Sequence, residues 1–218
     1  MRATLRREKR PKAEKTAGGQ LLELVVIVAI ALGLALGIQA FLVKPYRIPS
    51  ESMLPTLKVG QRVLVNRIGN NFSDPHIGEI LVFHPPAPAN DQGGGLGPSG
   101  QCGVDYGQGR PCPHEASQEA SVNFIKRVVA GPGDTIAIRD GHVILNGKLQ
   151  KEPFIDPCHP GDECNFPTPI KVPPDHWFMM GDNRGQSDDS RFWGPIPKKW
   201  VIGGAFATYW PPNRIGVF

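Results

Sequence analysis

The chain has 218 residues, 40% of them hydrophobic, with 24 Lys and Arg against 20 Asp and Glu and a formal charge of +4. That apolar content excludes a disordered chain and is enough for one packed domain plus an appendage. The charge is uneven: residues 1–15 hold seven basic and two acidic side chains, so the remainder is close to neutral and offers no basic face for nucleic acid.

The basic segment 1–20 precedes "LLELVVIVAIALGLALGIQAFLV" at 21–43. A hydrocarbon core of about 30 Å needs about 20 helical residues, and this run supplies them. Glu23 and Gln39, its strongly polar members, lie near its ends, where they cost least. The run is longer than the apolar region of a cleaved secretory signal. It is apolar on every face, unlike the helix of a soluble core. A single membrane-spanning helix is therefore expected, in the cell membrane, with the basic tail on the cytoplasmic side and residues 44–218 outside. The later run "VIGGAFATYW" (201–210) is too short to span and reads as a strand.

After residue 43 the pattern changes to short apolar runs between Gly and Pro: "QRVLVNRI", "GEILVFH", "VNFIKRVVA", "TIAIRD", "HVILNGK", "HWFMMGD". These predict a mainly β domain. Asp140-Gly141 sits between "TIAIR" and "HVIL", the chemistry of a two-residue hairpin turn. Asn146-Gly147 is a second candidate turn. Residues 85–121, rich in Gly and Pro, read as a long inserted loop, mobile and clipped by cysteines.

Four cysteines agree with an oxidising exterior. Cys102 and Cys112 bracket one loop and Cys158 and Cys164 another. Two local disulfides are expected, although four cysteines allow three pairings. Zinc is the rival, since His114 and His159 stand beside cysteines. Neither Cys/His pair has the usual ligand spacing, so no metal and no cofactor are expected.

Familiar hydrolase motifs are missing: there is no G-x-S-x-G and no S-x-x-K. The six histidines sit in loops or at strand starts and read as surface residues. One lysine does stand out. In "FIKRVVAGPGD" (124–134), strand alternation puts Lys126 on one face with Phe124 and Val128, and Arg127 on the other with Ile125 and Val129. Burial among apolar neighbours lowers a lysine pKa, and a neutral lysine can take the proton of a serine hydroxyl. A candidate serine lies in "PSESMLPTL" (49–57), where Pro49 and Pro55 stiffen a turn holding Ser50 and Ser52. The Ser52 N–H and the Ser50 hydroxyl are suitable donors for a tetrahedral oxyanion.

Those two blocks, with "GQRVLVNRI" and "GDNRGQSDDSRFWG" (181–194), occur in the order seen in type I signal peptidases, and the chain resembles that family over the span and nearly all of residues 44–218. The resemblance implies a membrane-anchored serine endopeptidase with a mostly antiparallel β fold, which removes signal peptides from exported preproteins. By resemblance Ser52 is the nucleophile and Lys126 the general base. Ser50 serves the oxyanion hole, and Ser187 hydrogen-bonds and orients the lysine. Arg127, Asp182, Asp189 and Arg191 match charged residues that brace the site, and Cys158/Cys164 is similar to a disulfide of some members. Ile48, Pro49, Met53, Leu57, Phe124 and Ile125 are the candidates for shallow apolar substrate pockets.

Three positions depart from the family pattern. Gly185-Gln186 stands where an Asp-Asn pair is commoner, Gln61 replaces an acid, and the 85–121 insertion has no counterpart that explains it. A small subregion at about 137–176 bears the second cysteine pair. Two other readings fit the residues: a pilin-type Ser/Lys processing peptidase, and a non-enzymatic anchored β-domain that binds exported chains.

Overall fold

Residues 17–87, 102, 109–114 and 118–218 are described by the structure, a computed structural model. The basic tail up to residue 16 and the mobility expected of the 85–121 loop between its anchored pieces lie outside the described residues. The chain divides into two units at Ala40/Phe41.

The first unit is carried by helix α1, Ala17–Phe41. Gly18–Gly37 is long and apolar enough to cross a membrane. A helix of 20 residues rises about 30 Å. The helix starts four residues before the apolar run and stops two before its end. Val43 already opens a strand. Pro45 explains the stop, because proline excludes the residue before it from the helical region and cannot itself continue a helix.

Among the described residues the second unit has twelve strands, paired antiparallel. The larger sheet contains β1 (Val43–Arg47), β2 (Arg62–Asn66), β3 (Ile80–Phe83) and β4 (Phe124–Ala130). The smaller, four-stranded sheet follows in sequence: β5 (Thr135–Arg139), β6 (His142–Leu145), β7 (Lys148–Leu149) and β8 (Phe166–Lys171). The chain then returns to the larger sheet through β9 (His176–Met180), β10 (Ile196–Pro197), β11 (Val201–Trp210) and β12 (Gly216–Val217). Spatial order in the larger sheet is β1-β2-β11-β3-β4-β9-β10, with β12 on β11; in the smaller it is β7-β6-β5-β8.

Both turns expected from the sequence form. Asp140 and Gly141 have φ of 49° and 78°, and Asn146 and Gly147 have 50° and 79°. Two successive left-handed residues make the turn whose twist matches paired strands. Arg139 accordingly faces His142 across β5 and β6.

Side-chain alternation on β3 feeds two cores. Leu81 and Phe83 enter the large one with Val128, Phe178 and Trp193. Ile80 and Val82 enter a smaller one with Ile48, Met53, Leu57 and Ile125. A strand whose two faces are both buried must be apolar throughout, and Ile-Leu-Val-Phe is. The four cysteines pair as Cys102–Cys112 and Cys158–Cys164.

Candidate active site

β3 and β4 are paired with Leu81 opposite Lys126. Lys126 therefore stands among Phe124, Val128 and Leu81, and only 4% of it is exposed. The ammonium lies over the Phe124 ring, 5.6 Å from its centre. Burial drives the Lys126 pKa down from 10.5 to about 8. The carboxylates of Asp189, Asp188 and Asp182 oppose the fall, and the Arg191 charge assists it. An amine in this state is partly neutral near physiological pH.

Lys126 Nζ lies 2.6 Å from Ser52 Oγ, across 74 residues of sequence. Ser52 is buried, and its Oγ is 3.2 Å from Ser50 Oγ. The turn that presents these serines is tied down at several points. Ile48 and Gln61 are joined by a backbone hydrogen bond of 2.8 Å, and Leu57 N–H closes the turn onto Met53 C=O at 2.8 Å. Met53 and Leu57 are fully buried in the small core under the turn, not on its open side. Gln61, at the position where the family commonly has an acid, is also buried: its Nε2 donates to Thr208 Oγ1 at 2.9 Å and its Oε1 accepts from Lys58 N–H at 2.7 Å. An amide supplies both roles, whereas a carboxylate lacks the donor.

A cleft of about 630 Å³ opens beside Ser52 and Lys126. Ile48, Pro49, Phe124 and Ile125 line it, joined by Tyr46, Val82 and Val122. Arg47, Asn123, Gln186 and Asp188 supply its polar parts.

Two ion pairs flank Ser52 and Lys126. Arg127, next to Lys126, grips Asp182 with both arms, at 2.8 and 2.6 Å, stacks on Phe154, and donates to Gly78 C=O. Arg191 grips Asp189 in the same way, at 2.7 and 2.9 Å, and donates to the carbonyls of Ser187 and Arg184. Burial raises the Asp189 carboxyl, but the Arg191 charge and hydrogen bonds outweigh it and hold the pKa below the usual value. Asp189 stays ionised and also caps the one-turn helix α2, Ser190–Trp193, by accepting from Arg191 N–H.

Thr56, Asn183 and Glu152, absent from the sequence reading, belong to this framework together with Arg184. Thr56 Oγ1 donates to Asp182 Oδ2 at 2.5 Å, linking the serine turn to the Arg127 pair. Asn183 N–H donates to Ser52 C=O at 3.1 Å. Arg184 pairs with Glu152 at 2.6 Å and donates to Gly181 and Gly141 carbonyls, joining the small sheet to the 181–191 segment. The spacing "GDN" and the neighbouring threonine in "PTL" were visible, but nothing local signals partners 126 residues apart. Ser187 is buried against Gly181, where an added Cβ would meet Ser187 Oγ at 2.2 Å and Ser52 O at 2.4 Å. Its hydroxyl has no hydrogen-bond partner among the described residues, so the bond to the lysine implied by the resemblance is not formed here. Gly185 is where Asp162 comes in: a Cβ there would be 2.0 Å from its carboxylate oxygen. A side chain at 185 would require the Asp162 carboxylate to swing aside.

A serine hydroxyl held against a buried amine, at the edge of an open apolar cleft on a β framework, defines a hydrolase that works through a serine. Comparison with known proteins agrees. The signal peptidase family, peptidase S26, matches residues 21–210. Signal peptidase I of Leptolyngbya laminosa is 37% identical over 204 residues, covering 94% of this chain and 87% of that protein. In Synechocystis sp., probable signal peptidase I-1 is 37% identical over 89% of this chain and 85% of its own length. Probable signal peptidase I-2 of the same organism is 34% identical over 97% and 83%. The chain belongs to the signal peptidase family S26 and is a serine endopeptidase.

Proposed function

We propose that this protein is a membrane-anchored peptidase that removes N-terminal signal peptides from exported preproteins, with Ser52 as nucleophile and Lys126 as general base. The observation that carries the reading is the 2.6 Å approach of a buried amine to Ser52 Oγ. Neutral Lys126 takes the Ser52 proton as Oγ attacks the scissile carbonyl. The Ser50 hydroxyl and the Ser52 N–H donate to the oxyanion. Lys126 then passes the proton to the leaving amine, and an acyl-enzyme remains. A water, deprotonated by the same amine, releases the shortened peptide acid and restores Ser52. The apolar cleft takes small apolar side chains before the cut, and Asp189 and Asp182 hold the framework without touching substrate.

Helix α1 is the anchor, and the basic tail keeps the N-terminus in the cytoplasm. Ser52 lies nine positions beyond Val43, a reach of at most about 30 Å at ~3.3 Å per residue. The serine then works near the outer membrane surface, where a substrate tethered by its own apolar segment presents its cleavage region. The disulfides fit that oxidising side. Membership of a peptidase family favours cleavage over a purely binding role.

The test is cleavage of a secretory preprotein by the purified chain in detergent. Ser52→Ala and Lys126→Ala are each expected to abolish cleavage with an unchanged circular dichroism spectrum. Full activity in either variant refutes the assignment.

A further inference from the structure

The 85–121 insertion is clipped by Cys102–Cys112, and its described inner residues are not peripheral. Cys112 is fully buried and Pro111 is buried beside it. The Cys112 N–H donates to Arg191 C=O at 2.9 Å. Two residues on, His114 C=O lies where a Cβ on Gly194 would be, 2.1 Å from that position. Gly194 also has a φ of 87°, so a side chain there is excluded both by backbone conformation and by the insertion. At the other end, Gly109 C=O accepts from Thr168 N–H at 2.9 Å. Thr168 is in β8, an edge strand of the small sheet. Residues 109–114 therefore run from that edge to both ends of the Arg191–Gly194 stretch.

What they hold matters for the reaction. Helix α2 has four residues, and a single turn has no stability of its own. It must be fixed by packing. Trp193 fixes one side, with its ring 6.0 Å from that of Phe83. Arg191, inside the turn, fixes Asp189 by two charged hydrogen bonds, and Asp189 in turn receives the Gly181 N–H at 3.0 Å. Gly181 packs on the Ser52 carbonyl. A displacement of α2 is thus passed to Asp189, then to Gly181 and the serine turn, through contacts with little room to give.

Resting on the assignment of Ser52 and Lys126 as reacting groups, we propose that residues 109–114, locked by the Cys102–Cys112 disulfide, are a positioning strap that holds Arg191 and Asp189 in place for catalysis. The strap lines no part of the cleft, so it acts on turnover and not on substrate binding. Cys112 and Gly194 are its positioning residues.

The test is steady-state cleavage of a preprotein by the full chain in detergent, with Cys102→Ala/Cys112→Ala. The expected result is a fall in kcat of about tenfold, as the unclipped strap loosens its hold on Arg191, with KM within about twofold and a cooperative melt. A folded variant with unchanged kcat overturns the proposal, and so does a rise in KM at constant kcat. If the double variant does not fold, Cys158→Ala/Cys164→Ala protein is reduced and reoxidised. Reversible loss and recovery of kcat in a protein that stays folded supports the strap; global unfolding on reduction makes the segment a folding element and overturns it. Ser52→Ala protein is assayed alongside. Cleavage that survives this change removes the serine assignment itself, an outcome separate from failure of the strap.

Discussion

Replacing Lys126 by Met should make the protein inactive and more stable at pH 7. Lys126 is charged in the unfolded chain up to its ordinary value of 10.5, but in the fold burial brings the pKa to about 8. Below pH 8 both states carry the proton, so folding bears the full cost of burying the charge. At ~1.36 kcal/mol per pKa unit this is about 3 kcal/mol. Methionine has a similar shape and no charge, but it loses the hydrogen bond to Ser52 Oγ, worth roughly 1 kcal/mol. The net gain is about 2 kcal/mol, or roughly 4–8 °C in Tm for a domain of this size. Between pH 8 and 10.5 the native state sheds the proton while the unfolded chain keeps it, so the wild type gains stability with rising pH. The Met advantage should shrink to near zero by about pH 10. Groups common to both proteins cancel in the difference. Thermal melts of both chains in detergent at pH 7 and pH 10 measure it. A Met variant less stable than wild type at pH 7, or one whose advantage does not change with pH, refutes the argument that burial holds the amine near neutrality.

The same shift sets the rate. If neutral Lys126 is the base, kcat/KM rises through an ascending limb centred near pH 8, with roughly a fivefold gain from pH 7 to 8; a limb near 10.5 contradicts a buried base. Thr56→Val removes the 2.5 Å bond to Asp182 and should cost about 1–2 kcal/mol of stability together with a fall in kcat, read by melts and by turnover of the same preparation. Retention of both at wild-type values means that Thr56 does not brace the site.

Much of the molecule was legible in order along the chain. The long apolar helix could be read because an unbroken apolar run is a local property, and both hairpin turns could be read because left-handed backbone is a property of Asp-Gly and Asn-Gly themselves. The mainly β character followed from short apolar runs in the same way. Lys126 and Ser52 stood out because a lysine among apolar strand residues, and serines between prolines, are anomalies within a few positions. Tertiary structure alone decided the rest. Met53 and Leu57 look like pocket residues in sequence but are buried in the small core, since a turn folded onto a sheet hides its inner face. Which acid each arginine holds, which side chain comes up to Gly185, and where residues 109–114 attach all depend on segments far apart in the chain. Contacts such as Thr56 with Asp182 and Cys112 with Arg191 leave no periodic trace. Their energy arises only when two sheets and their loops are packed together, which no stretch of sequence specifies alone.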